Sequence, residues 1–519
     1  MQSSIMLFFC PDEYWQSLEV AHNIVFKYGY LTWEWKEKLR GFLHPLIFAV
    51  LYKILQIFQL DKNWILILSP RILQAAFASL CDLFVWKISI DWFNKSVAKF
   101  SLLLNLISWL AFYLSTRTLA NSLETTLIIV ALYYYQKPKI SQQNFGIFLF
   151  SIGFIVRPTS ATIFIFLIFH MIFSRIKTWR KRIEFVALRL FPISFSVFIV
   201  SVLLDSFLFG SFTIVQINFL KFNFLEDRGS FYGTHEWFWF LSFATPLILT
   251  SLLPFFIHGV FVEMRKNTPN KVLLPFWIIL FDIAFYSISS HKEFRFIYPI
   301  HPLMVIYSAS SLSRIISSFS SSFSDDPKTE KEVDFVSPKK EEKTQTKPRK
   351  TRSKFWGNLI LSVLIITQLG QGVYLGYVHQ KGRIDVFSFI QKETESFEQK
   401  NQEISVLFLT PCHSTPFYSH IHKNISMDFL DCSPSSEPNY VDEADRFFAN
   451  PLDFLHKRFL SDPQNVHLPS HLILFDSILP KIESFLKENS YQECARFFNS
   501  HFPVDRELQK YLLVFCSTS

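Results

Sequence analysis

Residues 175–209 read RIKTWRKRIEFVALRLFPISFSVFIVSVLLDSFLF. Arg175, Lys177, Arg180, Lys181 and Arg182 crowd the start, and an apolar segment over 184–209 follows. As a helix that segment would extend about 39 Å, enough to cross a hydrocarbon core of roughly 30 Å with tilt. The same pairing of basic loop and membrane-length apolar run recurs along the chain. Of the 519 residues, 50% are hydrophobic and 61 are phenylalanine, while 18% are charged; soluble globular chains carry roughly 25%. Mean hydropathy is +0.23 even though 321–355 is strongly polar. These figures exclude a disordered chain, a small disulfide-stapled domain and an ordinary cytosolic enzyme, and imply a mostly α, polytopic membrane protein. The net charge of +8 and pI near 9.0 do not indicate nucleic acid, because the basic residues collect in loops between apolar runs.

The apolar runs predict spans at about 43–60, 64–89, 98–115, 119–135, 145–173, 184–209, 236–260, 271–290, 297–315 and 355–378. Backbone polar groups in lipid must be satisfied within the segment, so these are expected as helices. By the positive-inside rule, three basic regions face the cytosol: 175–182, the Arg265/Lys266/Lys271 gap, and the block 325–354. Two spans separate each from the next, so the parity is consistent. It puts 11–42, 210–235, 291–295 and everything after about 379 on the opposite side, the lumen of a eukaryotic secretory membrane. It also puts the sequons Asn94-Lys95-Ser96 and Asn424-Ile425-Ser426 there. The expected organisation is a multi-span module over 1–320 with a lumenal loop at 11–42, a disordered cytosolic loop at 321–354, a transmembrane helix at 355–378, and a smaller lumenal domain at 379–519. Met1–Cys10 has no basic n-region, and its apolar run is too short for a signal or a span. Cys412, Cys432, Cys494 and Cys516 all fall in the last region and suit two disulfides, Cys412–Cys432 closing the shorter loop; reduced, buried thiols are the alternative. Cys10 and Cys81 lie in or near apolar segments. No Cys/His spacing predicts zinc, and no glycine-rich nucleotide loop occurs.

Several polar clusters interrupt this pattern. Pro11-Asp12-Glu13-Tyr14-Trp15-Gln16 heads the first lumenal segment. Its two carboxylates suit a general base on a sugar hydroxyl, or simply a helix N-terminus favoured by the dipole. Tyr28-Gly29-Tyr30-Leu31-Thr32-Trp33-Glu34-Trp35 suits an interfacial belt or a sugar-stacking platform. His291-Lys292-Glu293-Phe294-Arg295-Phe296 ends a span; His291, Lys292 and Arg295 suit a phosphate at headgroup depth, with Glu293 orienting one of them, or are snorkelling charges. Arg117 lies in a Thr-Arg-Thr run. Arg157, inside an apolar stretch, needs a partner, and Glu124 is the candidate; Pro158 can break the helix there. His235, in Phe231-Tyr232-Gly233-Thr234-His235, is a further sugar or phosphate candidate.

Together, segments 11–22, 28–35, 116–118, 157–159, 216–223, 231–235, 291–299, 410–420 and 442–445 resemble, in order, the mannosyltransferases of glycosyltransferase family 22, which have the GT-C fold. Segments 28–35 and 410–420 are similar to the GPI mannosyltransferase 3 subfamily within it. The resemblance implies transfer of mannose from dolichyl-phosphate β-mannose to a GPI-precursor glycolipid in the endoplasmic reticulum lumen. It implies a third, α1,2-linked mannose and hence inversion by a single displacement. It further implies Asp12 as base, Glu13 as alternative base or acceptor-orienting group, His291, Lys292 and Arg295 on the donor phosphate, and no metal or cofactor. Family members carry a transmembrane helix ahead of the Pro-Asp-Glu segment, where ten residues stand here. Competing expectations are a sibling enzyme acting on the N-glycan precursor or adding a fourth GPI mannose, and a lipid or sugar transporter with Arg157 and Glu124 lining its pathway.

Overall fold

The computed structural model describes residues 8–226, 233–265, 270–321, 349–435, 440–459, 468–504, 506 and 508–518. Most of the 321–354 insert, Lys266, and Phe231 and Tyr232 of the loop motif lie outside the described residues. A helical turn from Asp12 runs through Tyr14–Leu18 into α1 (Glu19–Phe26), followed by α2 (Trp33–Lys36) and α3 (Leu43–Ile57). The bundle is then built by α4 (Asn63–Trp92), α5 (Lys95–Ile107), α6 (Trp109–Leu114), α7 (Ala120–Tyr135), α8 (Ile140–Val156), α9 (Ala161–Phe169), α10 (Trp179–Phe185) and α11 (Phe191–Phe209). It continues with α12 (Val215–Leu220), α13 (Thr245–Leu249), α14 (Leu253–Arg265), α15 (Asn270–Ile288), α16 (His301–Ser321) and α17 (Arg349–Tyr377). Among the described residues, six helical runs are long and apolar enough to cross a membrane: 63–92, 158–175, 179–209, 240–265, 270–288 and 355–399. Phe191, Val200, Leu203 and Phe207 stand exposed along α11, as lipid-facing side chains do. In the interior, α14 meets α16 at Gly259, where a Cβ would lie 2.1 Å from the Tyr307 carbonyl oxygen. Only a residue without a side chain lets the two backbones approach so closely.

Two segments depart from the expected crossings. α3 has 15 residues and spans about 22 Å, short of the roughly 30 Å core. Its Phe48, Ala49 and Tyr52 join a core with Val386, Phe408 and Val514 of the C-terminal domain, while Val50, Ile54 and Ile57 are exposed. Short, and packed by one face on the C-terminal domain while the other stays apolar and exposed, α3 lies against that domain and is not counted as a span. The expected span at 145–173 is instead a hairpin. The backbone turns extended at Arg157 and Pro158 opens a short 3-10 turn. Both ends of the hairpin meet the C-terminus of α7: Gln143 Nε2 donates to Lys137 O at 2.9 Å and Arg175 Nη1 to Tyr135 O at 3.1 Å. One crossing is lost and one gained, so the sides expected for everything from 175 onward are unchanged. The loops between are exchanged. Asn94 lies beside Asp91, which pairs with Lys137 and accepts from Lys271 Nζ through its carbonyl at 2.6 Å. The first sequon thus sits at the basic end of the bundle, opposite to the expectation.

At the other end sits the C-terminal domain. After α18 (Gly382–Gln399) come β1 (Ser405–Leu409), α19 (Tyr418–Ile421), β2 (Ser426–Phe429), α20 (Glu443–Ala449), α21 (Pro451–Phe459), β3 (His471–Phe475), α22 (Leu479–Glu488), β4 (Tyr491–Phe498) and β5 (Tyr511–Ser517). The sheet order is β2-β1-β3-β5-β4. β1 is parallel to β2 and β3, with Val406 opposite His471, and β5 is antiparallel to β3 and β4. One sheet face packs with α18 against α1 and α3; the other is covered by α20, α21 and α22. Cys412–Cys432, the expected pair, is a disulfide, Cys494–Cys516 is a second, and Cys10 and Cys81 are free thiols.

Candidate active site

Between the bundle and the C-terminal domain lies a cavity of about 1090 Å³, at the end away from the basic loops. Asp12, Arg157, His235, His291, Lys292, Glu293 and Arg295 all line it. Pro11 starts a helical turn, with Tyr14 N donating to Pro11 O at 3.0 Å, so Asp12 and Glu13 occupy its first turn. Successive helical residues point about 100° apart, and the two neighbours diverge accordingly. Asp12 keeps 27% of its side chain exposed, and Arg295 Nη1 lies 2.7 Å from its Oδ2. Glu13 is fully buried. Its Oε2 lies 2.6 Å from Arg117 Nη1 and its Oε1 3.3 Å from Arg71 Nη2. Arg71 also donates to Tyr14 OH at 2.8 Å, and Thr118 Oγ1 donates to Glu13 O at 2.8 Å. Glu13 and Arg117, both expected as site candidates, therefore form a sealed ion cluster behind the cavity wall. Arg71, buried in α4, is its third member.

The 291–296 motif forms a chain of charges. His291 Nε2 is 3.2 Å from Glu293 Oε1. Arg295 grips Glu293 with Nη2 to Oε1 at 2.6 Å and Nε to Oε2 at 2.7 Å, and reaches Asp12 with its remaining nitrogen. Asn121 Nδ2 donates to Arg295 O at 3.1 Å and holds the motif against α7. Burial opposes ionisation of Glu293, but Arg295 and then His291 hold its carboxyl well below the usual range. Burial likewise opposes charge on His291, but the Glu293 hydrogen bond and charge outweigh it and raise its pKa. Lys292 Nζ donates to His235 O at 3.0 Å and to Ser289 O, and burial lowers its pKa. His235 stacks on Trp239 at 4.7 Å. Glu124 is the partner of Arg157, at 3.5 Å, and stays behind the wall. The Arg157 guanidinium lies over the Phe296 ring at 5.0 Å, which brings it beside the 291–296 chain.

Sequence reasoning missed part of the lining: Gln16, Glu34, Arg40, Arg383, His413 and Asp442. Glu34 was read only within an aromatic segment, and Arg383 and His413 come from the C-terminal domain, more than 350 residues from Asp12. Cys412, His413 and Cys432 cluster at the wall, but the two sulfurs are joined to each other, which removes them as thiolate ligands.

A helical membrane bundle, a domain built on one of its ends and a charged cavity between the two define a polytopic GT-C glycosyltransferase. The fold is shared with the crystal structure of ArnT from Cupriavidus metallidurans bound to undecaprenyl phosphate, at a TM-score of 0.56 and 12% identity, covering 100% of this chain and 96% of that one. The oligosaccharyltransferase of Archaeoglobus fulgidus matches at a TM-score of 0.51 and 13% identity, over 90% of this chain and 65% of that one. The Alg9-like mannosyltransferase family model matches residues 1–422, and the chain belongs to that family. Relatives include Mannosyltransferase APTG1 of Arabidopsis thaliana, 39% identical over 98% of this chain and 89% of its own length. GPI alpha-1,2-mannosyltransferase 3 of Homo sapiens is 37% identical over 96% of this chain and 81% of its own length.

Proposed function

We propose that the protein transfers mannose from dolichyl-phosphate β-mannose to a GPI precursor, adding the third mannose in α1,2 linkage. The observation that carries the reading is the contact of Asp12 with Arg295 at 2.7 Å inside one cavity, which puts a carboxylate beside a bank of cations. Asp12 takes the proton of the acceptor hydroxyl as that oxygen attacks the anomeric carbon. The new C–O bond forms while the bond to the phosphate oxygen breaks, and the electron pair leaves with dolichyl phosphate. Inversion follows from the single displacement. His291, Lys292 and Arg295 neutralise the departing phosphate. Glu293 is the positioning residue that aims Arg295 and His291, and Arg157, balanced by Glu124, lies on the same side. The similarity to human GPI alpha-1,2-mannosyltransferase 3 supports the acceptor and linkage, and the undecaprenyl phosphate of ArnT supports a polyprenyl-phosphate donor. Two disulfides suit an oxidising compartment, so we place the cavity and the 379–519 domain in the endoplasmic reticulum lumen.

Product analysis tests the reading. Loss of the protein should accumulate a two-mannose GPI intermediate; a shortened dolichol-linked oligosaccharide instead would overturn it.

A further inference from the structure

The cavity has a second polar wall that the transfer step leaves unused. Gln16 follows Asp12 by four residues, so the two side chains leave the helical segment on one side. Gln16 Nε2 donates to Glu34 Oε2 at 3.0 Å, and Arg40 donates to Glu34 Oε1 through Nε at 3.0 Å and Nη2 at 2.7 Å. Glu34 keeps 16% of its side chain exposed and Arg40 31%, and all three line the cavity beside Trp15 and Trp33. Arg40 is close enough to Asp12 and Arg295 to feel both charges. The carboxylate is held from one side by two donors, while Oε2, with the Gln16 bond alone of these, keeps acceptor capacity for a hydroxyl. A clamped carboxylate, an amide and indole rings are groups that recognise a sugar and not a phosphate. The donor phosphate belongs with His291, Lys292 and Arg295.

We propose that Gln16, Glu34 and Arg40 form the acceptor-sugar subsite. Glu34 accepts a hydrogen bond from a ring hydroxyl of the terminal hexose while another hydroxyl of that ring faces Asp12. One helical turn, about 5 Å and the scale of a pyranose ring, separates Asp12 from Gln16, which holds Glu34. The proposal rests on Asp12 as the base.

The test uses the full chain with dolichyl-phosphate-mannose and the two-mannose GPI glycolipid. Glu34→Gln should raise the KM for the acceptor about tenfold to a hundredfold, with the donor KM within about twofold because the cation bank is untouched. An unchanged acceptor KM overturns the proposal, as does a parallel rise in both KM values, which would mark Glu34 as part of the scaffold. Should Glu34→Gln fail to accumulate, Arg40→Lys asks the same question by loosening the clamp, with the same two overturning outcomes. Should the wild-type chain extend a different mannosyl lipid and not this one, the proposed function fails on its own, and the Glu34 variants are then judged on that lipid.

Discussion

Asp12 and Glu13 are adjacent in sequence and opposite in circumstance. One faces a water-accessible cavity against a single guanidinium; the other is closed off between Arg71 and Arg117 with no exposed surface. The open cluster is poised to exchange partners, because a substrate phosphate or hydroxyl can reach it. The sealed cluster cannot exchange, and any change to it leaves a buried charge uncompensated. Under the proposed function, the same residue chemistry serves reaction on one side of a helical turn and architecture on the other.

The largest expected effect separates the two. Asp12→Asn should lower mannose transfer by about 10²–10⁴-fold, the usual contribution of a positioned base, while the protein accumulates in membranes as wild type does. Full activity in that variant would remove Asp12 as the base. Glu13→Gln should act on folding instead, costing about 3–5 kcal/mol because Arg71 and Arg117 lose their shared anion; a lowered thermal midpoint and poor accumulation are the readouts. A stable but inactive Glu13→Gln would reverse the two roles. The disulfides extend the contrast at about 3 kcal/mol each. Replacing Cys412 and Cys432 by alanine should lower stability and activity together, since both cysteines line the cavity. Replacing Cys494 and Cys516, which join β4 to β5 away from it, should lower stability alone.

A smaller effect concerns pH. Burial, aided by His422, lowers the pKa of His22 to about 3, and burial lowers those of His413 and His471 to about 4 and that of His420 further. Unfolded histidine titrates near 6.5. Folded-state stability from these groups is thus complete above about pH 6.5 and is lost as pH falls toward 4. Glu19 works the other way: burial raises its pKa to about 7, so its contribution is present at low pH and lost as pH rises through 7. With His22, His413, His420 and His471 set against Glu19 and the raised His291, the thermal midpoint should fall between pH 7.5 and 5, and His22→Gln should flatten the curve. The least energetic test is topological. Asn424 is exposed on the domain side and should accept an N-glycan, and Asn94, beside the Lys137 and Lys271 cluster, should not. Glycan at Asn94 would restore α3 as a span.

Much of this was legible in the chain itself. The membrane class, the break at Arg157-Pro158 and the Glu124 partner follow from local composition and from the cost of an unpaired charge in an apolar setting; the Cys412–Cys432 bridge was one of two open readings, and the two motifs that meet in the cavity took their role from the family resemblance. The two errors of crossing share one cause. Hydropathy reports how apolar a segment is, not how deep it lies or how often it reverses. So α3, apolar on one face and packed on the sheet domain by the other, read as a crossing, and the hairpin at 145–173 read as one.

By itself the sequence determined that the chain enters a membrane, which end of the bundle carries the basic loops, and which residue types could handle a sugar phosphate. Only the tertiary structure decided that Asp12 faces the cavity while Glu13 is sealed behind it. It also decided that Arg71 belongs with Glu13, and that Gln16, Glu34 and Arg40 line the same cavity as Asp12. Those outcomes depend on the direction of a side chain around a helical turn and on contacts across hundreds of residues, neither of which a pattern along the chain encodes.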